Sequence, residues 1–173
     1  INGNAATINN VAAPAYLASY TLAGGDTEGV MTFAIDFTDT FGNAGTQVTS
    51  TTDFTTVTFD KTAPAATPVS IASNNADTSR AVPGNEVTLS FTVDDTLSAT
   101  PTVTIDGKAA TVAVAGAHPN YTAKYTASFG DSEAVWGFTL NFNDKAGNAA
   151  TQVTAVTDGT SVTFSETTPF SYT

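Results

Sequence analysis

Oxygen-rich side chains are the chemical groups that this sequence offers in the largest number. Asp and Glu total 16 against 5 Lys and Arg, and the formal net charge at pH 7 is −11. Carboxylate and amide oxygens are the hard ligands that Ca²⁺ prefers in proteins. Four aspartates at the ends of predicted strands are therefore the candidate calcium ligands: Asp60, Asp94, Asp95 and Asp144.

A calcium site requires these aspartates to meet at one end of the fold. If consecutive strands alternate in direction, the entering linker and every second loop lie at the same pole of a sandwich. Asp60 belongs to the linker, Asp94 and Asp95 follow a predicted strand, and Asp144 lies in a later turn. Several carboxylates at one pole repel one another unless a cation neutralises them. The opposite pole is expected to collect a second acidic set: Asp106, Asp131, Glu133 and Glu166.

The same aspartates have a second interpretation that needs no metal. Asp and Asn are favoured in turns because their side chains accept hydrogen bonds from nearby backbone amides. Residues 144–148, which start with Asp144 and end with Asn148, fit a hairpin turn of this kind. The sequence leaves both interpretations open.

Catalysis is disfavoured by residue types that are absent or occur once. The chain has no Cys, and its single His, His118, is predicted to lie in a loop beside Pro119. The Ser residues have no base nearby in the sequence, and there is no glycine-rich phosphate motif. We therefore expect no enzymatic activity and a solvated His118. The acidic balance disfavours nucleic acid and anionic membrane as partners, and no apolar run approaches a membrane span.

Trp and Lys can also carry function, but the sequence favours a structural role for Trp136 and solvent exposure for the lysines. Trp136, the only Trp, alternates with Phe138 and is predicted to be a core residue rather than an exposed sugar-stacking one. A covalent Lys–Asn crosslink requires a buried lysine beside a carboxylate. The four lysines are expected to be solvated instead: Lys61, Lys108, Lys124 and Lys145.

The elements that position these residues are organised as a repeat. The segment 1–7 matches 105–111, and Tyr16 to Pro64 matches Tyr121 to Pro169, with a period of about 105 residues. The predicted units are the C-terminal part of one repeat (1–62), a complete repeat (63–168) and the start of a third (169–173). We expect the chain to be a window on a longer tandem array, and residues 1–62 to lack several strands of their repeat.

Within the complete repeat, apolar and polar residues alternate as in half-buried strands. One predicted core face comprises Val87, Leu89, Phe91 and Val93, and another comprises Trp136, Phe138, Leu140 and Phe142. Thr dominates the outward positions, and no stretch has the period of a helix. About seven short strands separated by turn residues predict an all-β, immunoglobulin-like antiparallel β-sandwich.

Residues 69–75, 87–92, 101–105, 144–148 and 162–164 also carry a resemblance to bacterial Ig-like repeats. Such repeats occur in tandem in very large secreted or cell-surface proteins, including adhesins. The resemblance implies an extracellular or bacterial cell-surface location and a non-enzymatic role as a spacer or adhesive repeat.

The expected function is that of a stalk or filament repeat that holds other parts of a long surface protein at a distance. Its expected partners are neighbouring repeats of the same chain, with head-to-tail or lateral self-association as a further possibility. The alternative is a recognition module that binds glycan or protein through the loops at one pole.

Overall fold

The computed structural model of the chain describes residues 1–12, 14–116 and 119–166. It divides into two compact units, unit 1 from Ile1 to Lys61 and unit 2 from Thr62 onward. All regular elements in the described ranges are β-strands, which confirms the all-β prediction. None of these residues forms a helix with the length and apolar character needed to cross a membrane. The predicted segment 169–173 lies outside the described residues.

Unit 1 has short strands that pair in two antiparallel ladders. The strands are β1 (Thr7–Ala12), β2 (Ala15–Ser19), β3 (Gly29–Val30) and β4 (Thr58–Phe59). β1 pairs with β2, and β3 pairs with β4. An isolated bridge between Ile35 and Val48 adds a third antiparallel contact.

Unit 2 contains two larger antiparallel sheets. Its strands are β5 (Ala66–Ser73), β6 (Arg80–Ala81), β7 (Glu86–Val93), β8 (Thr102–Ile105), β9 (Lys108–Ala109), β10 (Thr111–Val114), β11 (Asn120–Thr126), β12 (Phe138–Asn141) and β13 (Thr163–Phe164). One sheet has the order β10-β11-β7-β5 and the other has the order β12-β8-β9. The short pair β6 and β13 is parallel, so the expectation of a wholly antiparallel fold is wrong at this pair.

The core of unit 2 follows the alternation in the sequence. Val87, Leu89, Phe91 and Val93 are buried along β7, while the residues between them remain partly exposed. The second predicted face, from Trp136 to Phe142, is buried in the same alternating way. Side chains from both sheets join one hydrophobic cluster, which is consistent with a β-sandwich.

Hydrogen-bond networks recur in the two units at the repeat period. In unit 1, Tyr20 Oη donates to Asp26 Oδ1 at 2.9 Å, and Ala23 N donates to Asp26 Oδ2 at 2.7 Å. In unit 2, Tyr125 Oη donates to Asp131 Oδ1 at 3.1 Å, and Ser128 N donates to Asp131 Oδ2 at 2.8 Å. The same bonds therefore fix the same turn in each unit.

Two further pairs repeat in this way. Gln47 Nε2 donates to Asp36 at 2.9 Å, and Gln152 Nε2 donates to Asn141 at 3.0 Å. A turn closed by a Thr hydroxyl on an Asp carboxylate occurs at Asp53 in unit 1 and at Asp158 in unit 2. These contacts lie about 105 residues apart, as the sequence matches do.

Candidate metal centre

Asp144 is the central carboxylate of the candidate site and is fully buried. Its Oδ1 accepts hydrogen bonds from the backbone N–H groups of Gly147 at 2.7 Å and Asn148 at 2.8 Å. Its Oδ2 accepts from Asn148 Nδ2 at 2.7 Å. The turn is possible because Gly147 has a φ of 98°, which a residue with a Cβ rarely adopts. The turn interpretation of residues 144–148 is therefore correct in its hydrogen bonding.

The ionised form of Asp144 is favoured despite its burial. Desolvation raises the pKa of this carboxyl group, but the hydrogen bonds from Asn148 and the backbone amide of Gly147 oppose it. The net effect holds the pKa of Asp144 below its ordinary value. Asp144 is thus an anion at neutral pH, as a cation ligand must be.

The loop after β7 supplies two further predicted ligands. Asp94 Oδ1 accepts a hydrogen bond from Ala65 N at 2.7 Å, so this side chain anchors the start of unit 2. Asp95 accepts from the amide of Thr96. A shallow cavity of about 180 Å³ beside this loop is lined by Val93, Asp94, Asp95, Thr96 and Pro119.

The loop after β7 and the turn at Asp144 are joined by backbone hydrogen bonds. Lys145 N donates to Thr96 O at 2.9 Å, and Ser98 N donates to Asn143 O at 3.0 Å. A carboxylate oxygen of Asp95 consequently lies within 4.8 Å of one of Asp144. Two oxygens at this separation can both reach one Ca²⁺ ion, whose ligand distances are about 2.3–2.6 Å.

The four predicted ligands therefore have different placements. Asp95 and Asp144 come together within unit 2, and Asp94 is engaged by the backbone of Ala65. Asp60 belongs to unit 1, where it directly follows β4 and is half-buried. Asn120, at the start of β11, accepts a hydrogen bond from Thr92 Oγ1 at 2.7 Å.

The second acidic set contains a network that sequence reasoning missed. Asp131 is buried and accepts hydrogen bonds from Lys108 Nζ and the Tyr125 hydroxyl. Burial raises the pKa of Asp131, but the hydrogen bonds from the Lys108 ammonium and the Ser128 amide lower it. The lowering outweighs the effect of burial, so the pKa of Asp131 lies below its ordinary value. Lys108 is exposed, as expected, but its ammonium is also bonded to a buried carboxylate, which the sequence did not predict. The recurring Tyr and Asp six positions apart, at 20 and 26 and at 125 and 131, was the available sequence signal.

The remaining candidates have structural placements. Trp136 is buried as predicted; its Nε1 donates to Ser132 O at 2.9 Å, and its ring stacks on Phe164 with centroids 4.9 Å apart. Lys124 pairs with Glu86 at 2.7 Å on the exposed side of β11. His118 lies outside the described residues.

Comparison with known proteins adds no identification to this geometry. No family model matches the chain, and neither the curated proteins nor the solved structures contain a match. The functional argument therefore depends on the residues and contacts described above.

Proposed function

We propose that this chain is a segment of a tandem Ig-like array that acts as a spacer or stalk in a long bacterial surface or secreted protein. The observation that carries the proposal is the recurrence of the same hydrogen-bonded turns in unit 1 and unit 2 at a spacing of about 105 residues. Repetition of a structural unit lengthens a molecule without adding a new reactive group. An extracellular location and an absence of catalytic activity belong to the same proposal.

Carboxylates of unit 2 support this role because they accept hydrogen bonds from within the fold. Asp131, Asp144 and Asp158 all accept hydrogen bonds from their own turns or from neighbouring strands. These contacts stabilise the turns, and the buried carboxylates Asp131 and Asp144 need such partners. The acidic surface, with a net charge of −11, opposes collapse of neighbouring copies onto one another.

A spacer is tested by measuring how far it holds its terminal part from the surface. Chains with increasing numbers of copies of residues 63–168 can be displayed on a bacterial surface beneath a fixed terminal peptide tag. The distance at which an immobilised antibody captures the tag should rise in proportion to the number of copies. A reach that stays constant as copies are added would contradict the proposal.

Recognition by the end loops is the second candidate function. The cavity beside Asp94 and Asp95 favours it, because it places polar groups at a loop that is open to solvent. Glycan arrays and surface-protein pull-downs with the whole chain test it. Saturable binding that is lost on exchanging residues 94–98, with unit 2 still folded, would replace the spacer proposal by the recognition one.

Calcium binding between the loop after β7 and the turn at Asp144 is part of the proposed role, because a bound ion would stiffen these loops in a stalk. Within unit 2, Asp95 and Asp144 supply two oxygen ligands. Asp144 Oδ2 accepts a hydrogen bond from Asn148 Nδ2 at 2.7 Å, and a carboxylate oxygen has a second lone pair that can bind an ion.

A further inference from the structure

β5 is the last strand of its sheet, so one of its two edges faces away from the other strands. The sheet has the order β10-β11-β7-β5, and among the described strands β7 alone pairs with β5 in this sheet. The backbone groups of a strand point alternately to its two edges. An open edge is a template on which a strand of another chain can add, and folded proteins usually block it.

The residues of β5 do not themselves block this edge. Proteins commonly protect an edge strand with a lysine or another charged side chain, and the sequence of β5, from Ala66 to Ser73, contains none. Pro68 removes one N–H group, but Val69 and Ile71 each carry one. The side chains of Val69 and Ile71 are buried in the core, so the strand is fixed in place. Protection of this edge therefore has to come from another part of unit 2.

A short segment from the C-terminal part of unit 2 bonds to the edge of β5. Thr157 Oγ1 accepts a hydrogen bond from Val69 N at 2.9 Å, and Thr157 N donates to Val69 O at 2.8 Å. Thr160 Oγ1 accepts from Ile71 N at 3.0 Å. We call residues 157–160 the strap. Thr157 lies 88 positions along the chain from Val69, so the fold rather than local sequence makes this contact.

The next N–H group along the same edge is also bonded. Ser73 N donates to Thr78 O at 2.9 Å. The bonded donors at positions 69, 71 and 73 are two residues apart, as expected for groups that face one edge of a strand. These three donors are thus satisfied within unit 2.

The strap is held in shape by its own turn. Thr160 Oγ1 donates to Asp158 Oδ1 at 2.7 Å, and Thr160 N donates to the same oxygen at 3.0 Å. A hydroxyl group has one proton and two lone pairs. Because Asp158 accepts the proton, a lone pair of the Thr160 oxygen is free to accept the N–H of Ile71. Asp158 therefore positions Thr160 for its contact with β5.

Unit 1 contains the same turn at the repeat spacing. The matched positions are 52, 53 and 55 in unit 1 and 157, 158 and 160 in unit 2, and each set reads Thr, Asp and Thr. Thr55 Oγ1 donates to Asp53 Oδ1 at 2.8 Å, as Thr160 Oγ1 does to Asp158. The turn of the strap is therefore a property of the repeat and not of one copy.

We infer that the strap is an autoinhibitory cover, which occupies the strand-pairing edge of β5 and prevents it from pairing with β5 of a second copy of this chain. A second copy is the fitting partner, because two identical edges related by a two-fold axis pair antiparallel and each supplies the donors and acceptors that the other needs. The side chains of β5 carry no charge that would repel a second β5. The inference is independent of whether the array is a spacer or a recognition protein.

The test compares two pairs of Thr→Val substitutions in the whole chain. Thr157→Val with Thr160→Val, the strap variant, removes both hydroxyl acceptors from the edge of β5. Thr104→Val with Thr139→Val is the matched control. These two hydroxyls bond to each other at 2.6 Å on neighbouring strands of the other sheet, so the control loses two hydroxyls and leaves the edge of β5 covered.

Hydrogen exchange measures the cover directly. The amides of Val69 and Ile71 should exchange about tenfold or more faster in the strap variant than in the parent chain, because their acceptors are gone. The control should exchange at the parent rate at both amides. The amides of β11 serve as the internal reference, since a general loss of stability would speed them as well.

Sedimentation at increasing protein concentration measures the pairing. High salt screens the net charge of −11 between copies. The strap variant should form a dimer at concentrations at which the parent and the control sediment unchanged, and exchange at Val69 and Ile71 should slow again as the dimer forms. β10, at the other end of the sheet, is the same in all three chains. Association confined to the strap variant therefore assigns the contact to β5.

Two results would overturn the inference. Parent-like exchange at both amides of the strap variant would show that the hydroxyls do not cover the edge. Faster exchange without association at any concentration would show that the uncovered edge does not pair with a second copy.

A milder variant keeps the test decisive if the strap variant does not fold. Thr160→Val alone leaves the bonds of Thr157 in place, and it should speed exchange at Ile71 and cause the same association. Absence of either effect would refute the inference. Thr160→Ser retains the hydroxyl and should behave as the parent does.

Discussion

At the scale of single residues, Asp144 and Asp131 are buried anions stabilised in different ways. Asp144 is bonded to its own turn, which the pattern Asp-x-x-Gly-Asn made predictable from the sequence. Asp131 is bonded to Lys108, which is 23 residues away along the chain. That contact depends on how β9 and the loop after β11 are placed by the fold, so local sequence rules could not predict it.

Acid sensitivity is a consequence of these lowered pKa values. The pKa values of Asp131, Asp144 and Asp158 are lower in the folded chain than their ordinary value, so the unfolded chain binds protons first. The free energy of unfolding should stay constant above the unfolded pKa of about 4 and fall as the pH drops towards the lower folded values. Denaturant titrations followed by Trp136 fluorescence measure this.

Asp131→Asn should have a smaller loss of stability on acidification than the parent chain, because one depressed carboxyl group is gone. Its stability at pH 7 should be lower, since the bond from the Lys108 ammonium becomes weaker. Equal pH slopes for the two chains would mean that Asp131 does not couple folding to protonation.

Trp136 and its neighbour Val135 form a matched pair for testing the core. Trp136→Ala should lower the free energy of unfolding by about 3–5 kcal/mol, because it leaves a cavity beside Phe164. Val135→Ala, at an exposed position, should change it by less than about 0.5 kcal/mol. Circular dichroism during chemical denaturation compares both variants with the parent. Similar losses in the two variants would contradict the core assignment of Trp136.

At the scale of strands and turns, the sequence predicted the buried faces of long strands better than the pairing of short ones. β7 has enough residues for alternation to define a buried face, and that face is buried as predicted. β6 and β13 have two residues each, which is too few to define a period. Their parallel pairing depends on long-range placement of chain segments and had no local signal.

Glycine at position 147 is required by the turn that holds Asp144. Gly147→Ala should lower stability by about 1–3 kcal/mol, because φ at this position is 98° and a side chain is strained there. Gly137→Ala is the control, since Gly137 has no positive φ and no atom within 4 Å of the added Cβ. Thermal unfolding of both variants measures the difference. A Gly147→Ala chain as stable as the Gly137→Ala chain would show that the turn relaxes without strain.

Calcium binding is tested at the loop after β7. If Asp95 and Asp144 hold the ion, saturating calcium should raise the melting temperature of unit 2 by roughly 5 °C or more. Asp95→Asn should remove this rise, and Asp158→Asn, in another turn, should retain it. Asp131 is unsuitable as the control because it is buried and bonded to Lys108.

Calorimetry and acidification complete the calcium experiment. Binding heat should disappear as the pH approaches the carboxylate pKa values, because protons compete for the same oxygens. No heat and no melting shift at millimolar calcium would assign these aspartates to turn formation alone.

At the scale of the whole molecule, the two units differ in how far their apolar side chains are buried: Tyr16 is 66% exposed, whereas Tyr121, 105 positions later, is 6% exposed. The repeat in the sequence predicted that residues 1–62 lack several strands, but it did not predict the groove of about 830 Å³ in unit 1. The groove depends on how β1, β2 and the segment 31–37 are placed in space, which no local sequence pattern specifies.

Separate fragments should reflect this difference. Residues 63–168 should melt cooperatively as an all-β domain, because they contain the whole hydrophobic cluster of unit 2. Residues 1–62 should aggregate or lack a cooperative transition, because β2 has an open edge beside exposed apolar side chains. Calorimetry and sedimentation of the fragments measure both. A monomeric 1–62 fragment with a sharp melt would disprove the assigned boundary.

The carboxylate networks around Tyr20 and Tyr125 have a consequence for the charges that the two units can carry. In unit 2 the buried Asp131 accepts a bond from the Lys108 ammonium, while in unit 1 Asp26 accepts one from the Asn4 amide at 3.0 Å. Asn4 and Lys108 are matched positions of the repeat. The two copies thus tolerate either a neutral or a positive donor on the same anion. The charge beside this carboxylate therefore differs between the two units while the same turn is kept in both.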